Sequence, residues 1–511
     1  MKLSKTTIQK IIPGKDLNVP PASVINLPEK VLQFGTGVLL KGLPDFLIHQ
    51  ANLKGKFNGS IVMVKSTGNG STENLTKQDC LYTVCVRGVK EGKKISEDHI
   101  ISSVNRIISA SSNWDTVLEC AANPAMQVII SNTTEVGITL VKDNIHSSPP
   151  ISFPGKLLAF LYQRFKLFDG DVDRGIVIIP TELIPDNADK LLSIVLELAH
   201  QNGLEIAFID WLENANEFCN SLVDRIVPGI ISGSERSRIE EKYGYTDESM
   251  IMSEHYALWA IESSSDKVKN ILSFADTAEG VIISADINKF RELKLRLLNA
   301  AHSFSAGLAV LLGYDTVKHA MDNILFETFL NKLMVNEIIP CIVNGSIKEE
   351  EAKDFANEVL DRFRNEYIEH KWISITIQYS SKMYMRTVEL IEKYNVRYEQ
   401  PAPLMALGMA AHILFMKSTS SGNSFSGFAN GHSYTITDNT AAFYADAWKT
   451  GTISIVVKSV LKNTELWGID LCSLPGFENE VTHWLDALTE KGPVAAMELA
   501  AASKKVLVNE K

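Results

Sequence analysis

The six cysteines are scattered, at Cys80, Cys85, Cys120, Cys219, Cys341 and Cys472, with no C-x-x-C pair and no histidine at zinc-ligand spacing. That pattern excludes a thiolate zinc centre and a disulfide framework, and it reads as reduced, mostly buried thiols. Long apolar runs are also missing. The longest, 404–416, is too short to span a bilayer and contains His412, and the N-terminal stretch MKLSKTTIQKIIPGKDL lacks the continuous apolar segment of a secretory leader. A cytoplasmic protein with no membrane span is expected. Nor is there a basic excess. The formal net charge of −11 argues against broad binding to nucleic acid or anionic membranes, while leaving room for a local basic pocket.

What is present is an ordinary globular composition, 45% apolar and 22% charged, in 511 residues, more than one hydrophobic core usually organises. Two large domains are expected, 1–285 and 286–511, with the boundary in 280–290. The fold class reads as α/β followed by all-α. In the first half, short β-branched runs at 30–34, 60–64, 127–130, 175–179 and 205–209 alternate with amphipathic stretches at 42–51, 114–121, 154–165 and 188–200, the rhythm of βαβ units feeding a doubly wound, mostly parallel sheet. In the second half helical patterns dominate, at 356–364, 381–393 and 403–417. The Ser/Gly-rich segment 418–431 reads as a loop and 495–504 as a terminal helix.

The first strand ends in Gln33-Phe34-Gly35-Thr36-Gly37 and enters Val38-Leu39-Leu40-Lys41-Gly42. Two glycines at a strand-to-helix turn let the backbone approach a pyrophosphate, which the free N–H groups of the helix start stabilise. The third glycine of G-x-G-x-x-G is replaced by Leu40, so a plain structural turn accounts for the same residues. Phe34, Gly35, Thr36, Gly37, Val38 and Leu39 are the candidate cofactor-binding residues. The next strand runs into Lys65 where an acid would bind a ribose hydroxyl, which leaves NAD against NADP open: the lysine can meet a 2′-phosphate or stand in solvent. Asn132 and Thr133 follow another strand and belong at the carboxyl edge of the sheet, beside the nicotinamide; helix capping by Thr134 is the competing account.

The chemical signal is Lys294-Leu-Arg-Leu-Leu-Asn299-Ala-Ala-His302, opening the first long helix of the second half. At about 100° per residue, Asn299 lies about 140° and His302 about 80° from Lys294, so the three can share a side while Leu295 and Leu298 turn to the core. A dehydrogenase needs a proton carrier beside the carbon that exchanges hydride, and a desolvated lysine suits that work. An amide can donate to the developing alkoxide, and a histidine can orient the substrate. On the residues alone, a surface lysine, an asparagine competing for backbone bonds and a core histidine explain the same positions.

The pattern K-x4-N-x2-H, with the glycine turn and the stretches 32–41, 131–137, 178–184, 207–216, 221–226 and 362–365, resembles the long-chain polyol-specific dehydrogenase family that includes mannitol 2-dehydrogenase. The resemblance covers nearly the whole chain, in order and spacing. It implies a Rossmann-type domain, a helical C-terminal domain, NAD with NADP not excluded, no metal, Lys294 as catalytic acid/base and Asn299 and His302 assisting at the reacting oxygen. Members are often monomeric, so a monomer or weak homo-oligomer is implied. Two departures stand out. Lys41 replaces a common arginine, and Leu183 replaces an asparagine of the polyol enzymes, which favours the branch acting on sugar acids. A small sugar acid carries a carboxylate, which arginine grips with two prongs. The candidate substrate-binding residues are Arg364, Lys382 and Arg386, with Asp224 for hydroxyls; Lys382 matches a lysine that the family places at the substrate. A surface salt bridge accounts equally for Arg364 and Arg386, and an ordinary Asp-Arg link for Asp224. A dinucleotide-binding sensor without turnover is the reading from another class.

Overall fold

The computed structural model describes residues 1–66, 72–133, 137–422, 424–449 and 451–502. The chain divides into two compact units, one of residues 1–88 and 94–287, the other of residues 89–93 and 288–511.

The first unit is organised by a six-stranded sheet in the order Val104–Ser109, Ser60–Lys65, Glu29–Phe34, Val128–Ser131, Val177–Pro180, Glu217–Phe218, every pairing parallel. In chain order this is 3-2-1-4-5-6, with the reversal between the strands that end at Phe34 and Ser131. Side chains alternate across it. Leu32, Phe34, Val62, Val64, Ile129 and Ile178 enter one core with the helices Phe153–Leu167 and Asn187–Gln201. Val31, Ile61, Met63, Val128, Ile130, Val177 and Ile179 enter another with the helix Pro44–Leu53. Burial on both faces is what a parallel sheet requires. Two smaller sheets complete the unit, one of five strands around Tyr82–Lys90 and Lys93–Ile101, one of three around Leu258–Glu262.

The expected strand 205–209 is instead the start of the helix Ile206–Asn214, and the last strand is Glu217–Phe218. Phe208, Trp211 and Leu212 recur at helical spacing and bury one face, with Phe208 stacked on Trp211 and edge-on to Phe165 at 5.3 Å. That aromatic packing outweighs the β-branched appearance of the run. The amphipathic stretch 42–51 breaks at Leu43, where Val38–Gly42 ends and Pro44 restarts the helix.

The second unit is helical. Ala301–Leu311 packs on Pro403–Phe415, which packs in turn on Phe477–Glu490. Gly307 and Gly408 permit the first contact: a Cβ on Gly307 would stand 2.9 Å from the Ala411 carbonyl, and one on Gly408 2.8 Å from that of Phe304. The segment 418–431 is not a loop. Thr419–Ser421, Ser424–Ala429 and His432–Ile436 form an antiparallel sheet, turned at Asn430-Gly431, both with positive φ. An Asn-Gly pair is a strong hairpin signal, and the serine-rich composition hid it. Asn423 lies outside the described residues, as do Ser503 and Lys504 beyond the helix Pro493–Ala502. No helix among the described residues is long and apolar enough to cross a membrane. The six cysteines are free thiols.

Candidate active site

In the first unit the glycine turn leaves the sheet at its reversal point. Phe34 is buried against Phe153, so its ring packs the core, and its carbonyl accepts the Asn132 N–H at 3.1 Å. Gly35 has φ +131°, which L side chains rarely adopt, and a Cβ there would stand 2.8 Å from Leu40 Cδ1 and 3.0 Å from the Asn132 carbonyl. A Cβ on Gly37 would meet nothing within 4 Å. Thr36, Val38 and Leu39 are half-buried around this opening. The turn is held from behind, because the Tyr82 hydroxyl donates to the Lys41 carbonyl at 3.1 Å and Arg225 Nη1 to that of Gly42 at 2.6 Å. A tight backbone with open space at its second glycine, set at the switch point of a 3-2-1-4-5-6 sheet, fits a dinucleotide pyrophosphate.

Lys41 points inward. Burial lowers its ammonium pKa, and nearby Asp45, fully buried, has its carboxyl pushed up to about 7 by burial against the opposing effects of Tyr82 and Lys41. The loss of arginine geometry at this position therefore falls on a buried support of the turn.

Asn132 Nδ2 donates to the carbonyl and the hydroxyl of Thr181, at 3.1 and 3.0 Å. Buried Glu182 accepts from the Ser131 hydroxyl at 3.1 Å, and from the Thr133 N–H and hydroxyl at 2.7 and 3.0 Å. Glu182 thus sets the strand end that carries Asn132 and Thr133, a role the sequence reading missed; its signal was the carboxylate at the end of the neighbouring strand. Thr134 lies outside the described residues. Leu183 is 59% exposed. Lys65 closes its strand half-buried, opposite Ser109. Asp224 is buried at the end of Ser221–Asp224. Arg225, also buried, donates to the carbonyls of Glu254 and Gly42 and lies over the Phe46 ring, so this half of the Asp-Arg pair is a link within the fold.

In the second unit, Lys294–Ala300 is a π-helical segment between the helices Asn288–Leu293 and Ala301–Leu311. This corrects the expected geometry. In a continuous α-helix Asn299 would be rotated well away from Lys294, whereas the wider i→i+5 turn of a π segment brings residues five apart closer to the same side. The core positions move as well, with Leu297 and Leu298 buried and Leu295 only half-buried. Lys294 and Asn299 are both half-buried.

His302 is 8% exposed, stacks on Phe363 at a centroid distance of 4.3 Å and meets His370 and Trp372 edge-on; its Nε2 is buried without a hydrogen-bond partner. Burial first, then the charges of His370, Arg386, Arg362 and Lys382, hold its pKa well below the ordinary histidine value. His370 is lowered by burial, Lys382 and Arg362, Lys382 by burial and Arg386, and Arg386 by burial. Lys382 Nζ donates to the Ile375 carbonyl at 2.8 Å, and Arg386 Nη1 reaches Ser303 Oγ at 3.2 Å and the Asn299 carbonyl at 3.4 Å. Among the described residues no carboxylate pairs with Lys382 or Arg386.

Asn299, His302, Lys382 and Arg386 therefore come together. Arg364 does not join them: its guanidinium is paired with Glu327 and Asp361, whose charges hold its pKa up against burial. Two residues before it, Arg362 is buried and acts on His302 and His370 instead. The phase of the helix Glu349–Phe363 carried that information, since Phe355, Val359, Arg362 and Phe363 share its buried face. No group of histidine, cysteine and acidic residues among the described residues could hold a metal ion.

Residues 29–272 match the mannitol dehydrogenase Rossmann domain, and residues 286–489 the mannitol dehydrogenase C-terminal domain. The chain is 36% identical over 476 residues to the altronate oxidoreductase of Bacillus subtilis (strain 168), covering 92% of this chain and 95% of that one. It is 34% identical to the altronate oxidoreductase of Cronobacter sakazakii, covering 91% and 95%. In fold it is similar to Pseudomonas fluorescens mannitol 2-dehydrogenase, solved as a ternary complex with NAD and D-mannitol (TM-score 0.66, 21% identity, 98% of this chain and 99% of that one). It is also similar to a D-sorbitol dehydrogenase (TM-score 0.77, 18% identity, 97% and 100%).

Proposed function

This chain belongs to the mannitol dehydrogenase family, and we propose from that premise that it interconverts D-altronate and D-tagaturonate with NAD, Lys294 serving as general acid/base. The observation that carries the substrate class is the set of cations around His302. Lys382 and Arg386 both act on His302, and their polar partners are the Ile375 carbonyl for the one, the Asn299 carbonyl and the Ser303 hydroxyl for the other, with no carboxylate among them. Partly desolvated cations gathered in this way are complementary to an anion. A neutral hexitol would leave them uncompensated. Leu183, in place of the polyol-type asparagine, supports the same branch.

The nicotinamide, when bound, supplies or takes the hydride. The residues do the rest. Gly35 and Gly37 admit the pyrophosphate to the backbone of the turn, with Phe34, Thr36, Val38 and Leu39 around it, while Thr181 holds Asn132 and Glu182 holds Thr133 at the nicotinamide side. Lys65 stands at the ribose end. In the reducing direction the ammonium of Lys294 donates its proton to the oxygen as charge develops there, and Asn299, in the same π-helical segment, donates an amide hydrogen bond to the same oxygen. His302 stays neutral, so Nε2 can exchange a hydrogen bond with a substrate hydroxyl without competing for the proton. Arg386 and Lys382 meet the carboxylate, and Asp224 a hydroxyl. Arg364, already paired, is left out of this assignment. The enzyme so described is cytoplasmic, a monomer or weak homo-oligomer, and acts on neither nucleic acid nor membrane.

The test is nicotinamide absorbance with purified protein, presenting tagaturonate, fructuronate and fructose in turn with NADH or NADPH. Tagaturonate with NADH is the expected best pair. Preferred turnover of fructuronate would move the assignment to the neighbouring stereochemistry, turnover of fructose alone would end the sugar-acid reading, and NADH binding with no turnover would leave a sensor.

A further inference from the structure

We propose that Arg296 is a positioning residue, which holds Lys294–Ala300 in its π-helical register and so sets where Asn299 stands relative to Lys294. The proposal rests on the reading of Lys294 as the proton-transfer group. Local sequence does not ask for a π turn here. Leu295, Leu297, Leu298 and Ala300 are good α-helix formers, and a π turn is a rare insertion between α-helices such as those on either side. Tertiary contacts must therefore supply the preference.

Arg296 is the buried charge of the segment, 4% exposed, and all three nitrogens of its guanidinium are engaged. Nε donates to Glu292 Oε1 at 3.0 Å, in the helix that precedes the segment. Nη1 donates to the backbone carbonyl of Arg386 at 2.9 Å, and Nη2 pairs with Glu389, both in the helix Tyr379–Tyr398. The link is reciprocal, since Arg386 sends its own Nη1 back to the Asn299 carbonyl and to Ser303 Oγ. The same helix also grips the helix that follows the segment. The Tyr379 hydroxyl donates to the Ser303 carbonyl at 2.6 Å and accepts the Gly307 N–H at 2.8 Å, standing between the two partners of an i→i+4 bond. Two arginines in the same packing thus have opposite duties. Arg296, flanked by Glu292 and Glu389, is neutralised and can only hold structure; Arg386 and Lys382, without carboxylates, are left for an anion.

The variants are Arg296→Lys, which keeps the charge but cannot reach three partners, and Glu389→Gln, a milder change at a half-exposed anchor that leaves the fold intact. Amide hydrogen exchange over 294–303 should quicken by about tenfold in R296K and less in E389Q, with peptides of the first unit unchanged. In the same proteins kcat should fall about tenfold or more in R296K and about threefold in E389Q, while KM and NADH affinity stay within about threefold. Exchange over 294–303 and kcat both within about twofold of wild type in the two variants would overturn the proposal, as would a rise in KM at unchanged kcat, which would place Arg296 at the substrate. If R296K does not fold, E389Q decides alone. Absence of sugar-acid turnover in the wild type would sink the functional reading, and the exchange measurement would still decide what Arg296 does.

Discussion

The guanidinium of Arg386 lies 3.2 Å from Ser303 Oγ, one residue beyond His302 and on the far side of the π segment from Lys294. Its helix places Lys382 one turn away, and burial lowers the pKa of both cations. Replacing Arg386 by Met should lower kcat/KM for the sugar acid by about 10- to 100-fold, the worth of a charge-assisted hydrogen bond, and do so mainly through KM. Steady-state kinetics against the acid and a neutral ketose decide it: equal losses on both would remove Arg386 from carboxylate recognition.

Lys294→Ala should cut turnover by about 100- to 10,000-fold, the usual range for a positioned acid/base. NADH affinity, read by fluorescence titration, should be unaffected, because the nucleotide residues belong to the other folding unit. Comparable turnover in the variant would take Lys294 out of the mechanism.

Gly35→Ala introduces a Cβ at φ +131° that would press on Leu40 and on the Asn132 carbonyl. Strain of about 1–3 kcal/mol at such a position should weaken NADH binding by about 10- to 100-fold. Gly37→Ala, whose Cβ meets no protein atom within 4 Å, separates fold from ligand. It should leave the melting temperature unchanged and weaken NADH binding alone; unchanged affinity would remove the pyrophosphate from this turn.

Three buried histidines make the fold acid-sensitive. Burial holds His49 at about 3, His412 at about 4 and His302 well below the ordinary 6.5. In the unfolded chain each takes up a proton near pH 6.5, so the unfolded state binds more protons and stability falls as pH drops below that value. At pH 5 a histidine kept neutral costs up to about 2 kcal/mol relative to pH 7 or above. Denaturant midpoints should therefore fall steadily from pH 7 to 5, and His49→Asn should flatten that slope for the first unit.

Much of this protein was legible along the chain. The glycine turn, the alternation that builds the parallel sheet, and the spacing of Lys294, Asn299 and His302 are local patterns, and local patterns follow from backbone geometry. The misreadings came where distant residues outweighed local preference. The run 205–209 is β-branched enough for a strand, yet Phe208, Trp211 and Leu212 find aromatic partners only when it coils. The hairpin after Thr419 was concealed by serines, although Asn430-Gly431 announced it.

The amino-acid order alone determined which groups could do chemistry: one lysine, one amide and one imidazole within nine residues, and a turn that only glycine can make. Which of them meet was decided by tertiary packing. Lys294 and Asn299 share a π-helical segment whose buried Arg296 is bound to a second helix, and Arg362 rather than Arg364 acts on His302 because helix phase directs one to the core and the other to Glu327 and Asp361. Pairing energies of that kind depend on through-space distance, which separation along the chain does not encode.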